Sequence, residues 1–131
     1  MNTMKKHQKS TSFPNLYISA GTQFLDHFNA LDPGALPLHH ARIFCEILQN
    51  GSMTYREIEE KFALSNASAS RVVNSLSNAA RHRQTSLGLV EIYIDPEEGR
   101  RYRAKASKKG KMLGDSLVNT LSQLDNRLLK F

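Results

Sequence analysis

Residues 54–76 read TYREIEEKFALSNASASRVVNSL, and this stretch decides the fold. Thr54 and Glu57 have the spacing of a capping box, in which a hydroxyl and a carboxylate satisfy each other's free backbone N–H groups. The box predicts a short helix from Tyr55 to about Phe62, with its apolar residues turned inward.

A second short helix follows after a tight turn at residues 63–65. Ser65 can cap it, and the helix is predicted from Asn66 to about Asn78. Its apolar side is formed by Ala69, Val72, Val73 and Leu76. Two short helices joined by such a turn predict a helix-turn-helix.

The charge of the chain is strongly polarised. No carboxylate lies between Glu60 and Glu91. Residues 71–111 contain ten Lys or Arg and four acidic residues, a net charge of +6, whereas residues 13–70 contain three and six, a net charge of −3. A polar helix without acidic residues, in a basic segment, is typical of a surface that meets a polyanion.

A β-hairpin is predicted after the helix-turn-helix, at about Leu89 to Ala106. Apolar and polar residues alternate from Leu89 to Asp95 and again from Arg100 to Ala106. The residues between these segments, Asp-Pro-Glu-Glu-Gly, have turn chemistry. Helix-turn-helix followed by hairpin predicts a mainly α fold with a β-hairpin wing, a winged helix-turn-helix.

Two longer amphipathic helices are predicted at the ends of the domain. Apolar residues recur at helical spacing over 16–31 and from Ser107 to the C-terminus, and another helix starts near Pro37. The last helix ends on the four- and three-residue steps of a coiled-coil seam. That seam could pack on the first helix of the same chain or on a second subunit. The predicted dimer-interface residues are Phe24, Phe28, Leu117, Leu121, Leu124, Leu128 and Phe131.

The predicted organisation is one domain, residues 13–131, after a disordered basic tail at residues 1–12. The tail could alternatively be an arm that touches phosphates. Residues 38–113 would form the DNA-binding core, and residues 13–35 and 107–131 the dimerisation helices.

Composition argues against other classes of protein. The neighbours His39 and His40 point in different directions on a helix, which suits neither a metal site nor a nucleophile–base pair. The single Cys45 excludes an internal disulfide, fits a reducing cytoplasm and is expected to be a quiet thiol. There is no apolar run of membrane-spanning length. We therefore expect a cytoplasmic non-enzyme without cofactor or metal.

Candidate DNA contacts lie on the carboxylate-free helix, in the loop after it and in the wing. Asn and Arg can read adenine and guanine bidentately, and Ser can bond a base or a phosphate. We expect Arg100 or Arg101 to reach a minor groove, Arg103 to meet phosphate or solvent, and Arg81 and Arg83 either to touch phosphate or to lie in solvent. The predicted contact residues are Thr54, Ser65, Asn66, Ser68, Ser70, Arg71, Asn74, Arg81, Arg83, Arg100, Arg101 and Arg103.

The order of several short motifs resembles the MarR family of winged-helix transcription regulators. The matching motifs are Thr54-x-x-Glu57, Ser70-Arg71, Gly88-Leu89-Val90, Asp95 with Arg100-Arg101, and Ser107-Lys-Lys-Gly110. The resemblance covers about residues 38–113 and implies a homodimer on an inverted repeat. The link from Leu76 to Gly88 is longer than is usual in the family. The short chain is similar to small phage or prophage members.

The combined interpretation is a homodimeric, sequence-specific regulator of transcription that binds double-stranded DNA. The helix at about Asn66–Asn78 would enter the major groove, and the wing would meet the minor groove or phosphates. We expect a repressor that occludes a promoter; a small-molecule effector is possible but is not indicated by the sequence. The alternative is a winged-helix protein-docking module, for example a polymerase-binding regulator, without sequence-specific DNA binding.

Overall fold

The computed structural model describes residues 12–31, 36–78, 87–97, 99 and 101–129. Within these ranges the chain forms five helices and a three-stranded sheet, so the predicted fold class is confirmed. The elements are α1 (Ser12–Asn29), α2 (Leu38–Asn50), β1 (Ser52–Thr54), α3 (Tyr55–Phe62), α4 (Asn66–Leu76), β2 (Val90–Ile94), β3 (Tyr102–Ala106) and α5 (Lys108–Leu129). The first helix begins at Ser12, the last residue of the predicted tail.

The helix-turn-helix forms through local hydrogen bonds, as the sequence predicts. The Thr54 hydroxyl accepts the Glu57 N–H at 3.0 Å, and the Glu57 carboxylate accepts the Thr54 N–H at 2.8 Å. Ala63 ends α3 in the left-handed conformation, with φ of 53°. The Ser65 hydroxyl then accepts the Ser68 N–H at 3.1 Å, which caps α4.

The sheet has one strand that the sequence pattern did not predict. Its order is β1-β3-β2, with both pairs antiparallel, so the central strand is the second arm of the hairpin. Strand β1 has only three residues, Ser52 to Thr54, which is too few for alternation of polar and apolar side chains to identify a strand. Its position is set by pairing with β3, where Met53 lies opposite Ala104.

The core lies where α2 meets the helix-turn-helix, the sheet and the start of α5. Its largest fully buried side chains come from α2, α3, α4 and the segment before β2. They are Phe44, Ile43, Ile47, Ile58, Leu76, Leu89 and Val73. Because one face of α4 contributes to this core, its opposite face is held toward solvent in a fixed orientation.

Residues 87–89 join the end of α4 to the sheet. The last carbonyl groups of a helix have no partner within it. Here the Leu87 N–H donates to Ser75 O at 3.0 Å, and the Leu89 N–H donates to Leu76 O at 2.7 Å. The hairpin therefore starts directly against the C-terminal end of α4, which lies two residues before the predicted end.

The start of α5 is anchored to the same segment. The Ser107 N–H donates to Leu89 O at 2.9 Å, and the Ser107 hydroxyl donates to Gly88 O at 2.6 Å. The Gly110 N–H in turn donates to the Ser107 hydroxyl at 3.0 Å. A Cβ at Gly110 would collide with Leu89 O and touch the Phe44 ring. Glycine is needed here because the helix passes directly over the backbone of residue 89.

Helices α1 and α5 pack against each other beside this core. His27 Nε2 lies 2.8 Å from the Thr120 hydroxyl, which links the two helices. Phe28 and Leu117 are buried in the core of the single chain, with Phe24 packed at its edge. The last helix therefore packs on the first helix of the same chain, which was one of the two arrangements that the sequence left open.

Replacing Gly110 with Ala should destabilise the fold by roughly 1–3 kcal/mol, because backbone must move to admit a methyl group. The matched control is Gly21→Ala in α1, where an added Cβ meets nothing within 4 Å. That control should stabilise the protein by about 0.5–1 kcal/mol, the usual gain for Ala over Gly within a helix. Urea denaturation of both variants measures the difference, and equal effects would contradict the close approach.

Candidate nucleic-acid interface

The exposed side of α4 is polar and free of acidic side chains. Ala69, Val72 and Val73 are buried, whereas Asn66 and Arg71 are exposed. The predicted residues Ser68, Ser70 and Asn74 are half-buried. The structure thus places Asn66, Ser68, Ser70, Arg71 and Asn74 on one helix that is anchored by its opposite face.

Hydrogen bonds connect the side chains of the first two turns of α4. The Ser65 hydroxyl lies 3.0 Å from the Ser68 hydroxyl, and Arg71 Nη2 donates to the Ser68 hydroxyl at 3.3 Å. Asn66 Nδ2 donates to Glu59 Oε2 on α3 at 3.1 Å. Arg71 is therefore held along the helix by a neutral hydroxyl, with its guanidinium still exposed to solvent.

Thr54 is the last residue of β1 and is only 5% exposed. Its partner across the strand pair is Arg103 of β3. Its hydroxyl accepts the Glu57 N–H as the cap of α3, as the capping box predicts. The predicted contact of Thr54 with DNA stays a prediction.

A polar cleft separates the helix-turn-helix from the wing. Its volume is about 570 Å³. It is lined by Thr54, Tyr55, Arg56, Glu59, Asn66, Arg101 and Tyr102. Tyr55, Arg56 and Tyr102 were not among the predicted DNA contacts, because their proximity depends on β3 lying beside the start of α3. The Tyr55 and Tyr102 rings are 6.0 Å apart.

The wing turn is closed around Asp95. The Asp95 N–H donates to Arg101 O at 2.8 Å, and the Gly99 N–H donates to Asp95 O at 2.9 Å. Asp95 Oδ1 also accepts the Glu97 N–H at 2.9 Å. Arg101 is exposed beside this turn. The predicted contacts Arg81, Arg83 and Arg100 lie outside the described residues.

Arg103 is surrounded by acceptors of its own chain. Its Nε donates to the Ser52 hydroxyl at 3.2 Å and its Nη1 to Asp95 Oδ2 at 3.2 Å. Its Nη2 lies 3.8 Å from Glu57 Oε1. The Thr54 N–H lowers the pKa of Glu57, and Arg103 lowers it further although burial opposes both. The carboxylate that caps α3 is thus kept in its charged form.

The predicted dimer residues divide into buried and exposed groups. Phe28 and Leu117 are buried within the single chain, and Phe24 and Leu124 are half-buried. Leu121 is 43% exposed, and its neighbour Val118 is 65% exposed. Phe131 and the side chain of Leu128 lie outside the described residues.

Within the described ranges, His39, His40 and Cys45 all lie on α2, and burial shifts the pKa of two of these side chains. Burial lowers the pKa of His40, and the neighbouring His39 lowers it further. Burial also raises the pKa of the Cys45 thiol, and Glu46 adds to this effect, so the expected unreactive thiol has a physical basis. Among the described residues no three His, Cys, Asp or Glu side chains could hold a metal ion. None of the described helices is long and apolar enough to cross a membrane.

Comparison with solved structures identifies the architecture. A MarR-like transcriptional regulator from Thermotoga maritima matches with a TM-score of 0.64 and 22% identity, over 90% of this chain and 78% of that chain. A mutant of MepR from a multidrug-resistant S. aureus clinical isolate matches with a TM-score of 0.66 and 12% identity, over 93% and 81%. BpsR from Bordetella bronchiseptica, whose DNA binding is regulated by 6-hydroxynicotinic acid, matches with a TM-score of 0.52 and 17% identity, over 90% and 79%.

The chain has the MarR-like winged-helix fold. No family model and no curated protein matches the sequence. The MarR-like fold places α4 as the second helix of the helix-turn-helix and the β2–β3 hairpin as the wing, as the motif order predicted.

Replacing Ser65 with Ala should cost about 1 kcal/mol of folding free energy, because the Ser68 N–H loses its cap. Ser65→Asp should retain most of the stability, since a carboxylate caps well and favours a helix N-terminus. Thermal and urea unfolding of the two variants measure this difference. Equal losses in both would show that residue 65 does not act as a cap.

Proposed function

We propose that this protein is a homodimeric transcription regulator that binds double-stranded DNA in a sequence-specific manner and represses by occluding a promoter. The observation that carries the proposal is the exposed face of α4, where Asn, Ser and Arg side chains project from a helix fixed by its buried side. In a helix-turn-helix, the N-terminal residues of the second helix contact base edges in the major groove.

The side chains of α4 are better suited to reading base edges than to non-specific attraction to DNA phosphates. Asn66 and Asn74 can each offer a donor and an acceptor to adenine, and Arg71 can offer two parallel donors to guanine. Phosphate contact alone would be served by lysines, which α4 lacks. In this arrangement α4 provides specificity, while basic residues elsewhere provide affinity.

The wing and the polar cleft support a second area of contact. A DNA backbone leaving the major groove beside α4 would cross toward the wing, where Arg101 is exposed. Arg56 and Tyr102 line the intervening cleft and can donate to phosphate oxygens. Glu59 in the same cleft is paired with Asn66, which moderates its repulsion of a phosphate.

Dimerisation is supported by apolar side chains that the single chain leaves exposed on α1 and α5. They include Ile18 and Leu25 on one side of α1, and Val118 and Leu121 on α5. Beside them, an apolar cleft of about 630 Å³ lies between these helices and α2. A second copy would cover these side chains with the seam at the end of α5. It would also double the recognition site into an inverted repeat.

We also propose that the protein acts as a repressor and that it acts in the cytoplasm. A dimer bound across one promoter face would exclude polymerase without any further domain. BpsR, with a similar fold, has DNA binding that a small molecule regulates. For this chain we propose the second subunit, not an effector, as the occupant of the α1–α2–α5 cleft. The predicted likeness to phage proteins stays a prediction.

A protein-docking module is the second candidate. Exposed apolar side chains on the wing, at Ile94 and Tyr102, are compatible with a protein partner. The exposed face of α4 argues against it, because docking surfaces are enriched in aromatic and large apolar residues and α4 shows Asn, Ser and Arg there. A docking module would show no preference among duplex sequences.

Replacing Arg71 with Ala should weaken binding to the selected operator by about 1–3 kcal/mol and leave folding unchanged, because a base-reading donor pair is lost. Arg71→Lys is the matched control, since it keeps the charge but not the planar fork. Competition with random duplex at one salt concentration gives the ratio of specific to non-specific affinity. If Lys restores that ratio fully, Arg71 contacts phosphate and does not read a base.

Replacing Val118 and Leu121 with Glu should convert the dimer to monomers, because charges would enter a buried apolar interface at a cost of several kcal/mol. Gln123→Glu is the control, because Gln123 is an exposed polar residue on the opposite side of α5. Sedimentation velocity at micromolar concentration reads the outcome. A wild-type chain that sediments as a monomer would contradict the dimer and favour the docking module.

A further inference from the structure

Arg103 contacts three residues from two parts of the chain, Asp95 of the wing turn, and Ser52 and Glu57 near the start of the helix-turn-helix. It lies on β3 and bonds Ser52 of β1 and Asp95 of the wing turn, and it faces Glu57 at the start of α3. The two closer contacts are both 3.2 Å long. A guanidinium can serve several acceptors at once because its five donors form a rigid planar fork.

The neighbouring cation on the same strand has a different environment. Lys105 Nζ lies 4.0 Å from Glu91 Oε2 and 5.1 Å from the centroid of the Tyr93 ring, and the Lys105 and Glu91 side chains are about half exposed. The Arg103 side chain is 26% exposed, and its partner Asp95 is 13% exposed. Lys105 is thus an ordinary surface cation, whereas Arg103 is largely enclosed by acceptors.

The partners of Arg103 control the geometry of the two DNA-facing parts. The Asp95 carboxylate accepts the Glu97 N–H and its backbone carbonyl accepts the Gly99 N–H, so Asp95 holds the wing turn closed. Glu57 accepts the Thr54 N–H, so it holds the first turn of α3. Arg103 therefore bridges Asp95 of the wing turn and Ser52 of β1 by hydrogen bonds, with Glu57 of α3 as a weaker ionic partner at 3.8 Å.

We propose that Arg103 is a positioning residue, which fixes the orientation of the wing relative to the helix-turn-helix and does not itself contact DNA. This replaces the expectation that Arg103 meets phosphate or solvent, and it rests on the proposed function for its effect on binding. Its role depends on bridging geometry more than on positive charge.

Asp95→Asn separates positioning from phosphate contact. Asn keeps an oxygen for the Glu97 N–H but removes the charge that holds Arg103. If Arg103 positions the wing, Asp95→Asn and Arg103→Gln should both weaken operator binding, each by about three- to tenfold. The double variant should be little weaker than either single variant, because both remove the same link.

If Arg103 instead contacts a phosphate, Asp95→Asn should strengthen binding, because it removes a negative charge and frees the guanidinium. That result would overturn the proposal, and so would unchanged binding in both single variants. Arg103→Lys adds a second comparison. A phosphate contact should survive as Lys, whereas a bridge between Ser52, Asp95 and Glu57 should not.

Lys105→Gln and Glu91→Gln are the matched controls, because they break the loose ion pair on the same pair of strands. Glu91→Gln should not weaken binding. All variants should be compared at equal folded fraction, with the unfolding midpoint measured for each. If the loss of operator affinity correlates across the variants with the fall in the unfolding midpoint, the loss reflects lower stability and counts against a positioning role.

A readout without DNA keeps the inference separate from the proposed function. NMR order parameters of the Glu97 and Gly99 amides should fall from about 0.85 toward 0.6 in Arg103→Gln and Asp95→Asn, but not in the controls. Wild-type protein that binds no duplex would refute the proposed function, while lowered order parameters would still establish that Arg103 holds the wing. Order parameters equal to wild type, with reduced operator affinity, would overturn the positioning role.

Discussion

The backbone of Leu89 joins the parts of this molecule that the proposed function requires to be in register. Its N–H bonds the last turn of α4, and its carbonyl accepts the N–H of Ser107 just before α5. Its side chain is fully buried, and β2 begins at the next residue. One residue therefore relates the helix-turn-helix, the wing and the long C-terminal helix. The absence of a side chain at Gly110 lets α5 pass close enough for this junction to form. Buried backbone groups must be paired, so the junction leaves little freedom for these elements to shift.

This junction gives a physical meaning to the charge pattern. The lack of carboxylates in this segment would not define a binding surface if α4 could rotate about its axis, because either side of the helix could then face solvent. Burial of Val73 and Leu76 fixes the rotation of α4, and the bonds to Leu87 and Leu89 fix its C-terminal end. Acidic residues of α3 are paired with neighbouring groups, Glu60 with Arg56 of the same helix and Glu59 with Asn66 of α4. The proposed DNA surface is thus organised by burial and local pairing, with the wing set beside it by Arg103.

Features that depend on neighbours in sequence could be predicted, and features that depend on strand pairing could not. The capping box at Thr54 and Glu57, the Ser65 cap and the alternation in the hairpin are local signals, and each is confirmed. Strand β1 is too short to have a pattern of its own. Without β1 there was no reason to expect Thr54 to be buried or Ser52 to receive a bond from Arg103, 51 residues away. For the same reason Arg103 was predicted to be a DNA contact like the neighbouring arginines of the wing. The seam of α5 could be predicted, but the sequence could not show that Leu117 packs in the chain's own core while Leu121 stays exposed.

The central claim is that the α4 face reads DNA sequence as part of a two-fold dimer. Selection of bound sites from a random duplex pool tests it most directly, because it reports sequence preference and half-site spacing together. The account predicts enrichment of an inverted repeat whose half-sites are centred about 10 base pairs, one helical turn, apart. A pool that stays random after repeated selection at low salt would contradict the claim, since a non-specific or docking surface leaves sequence composition unchanged.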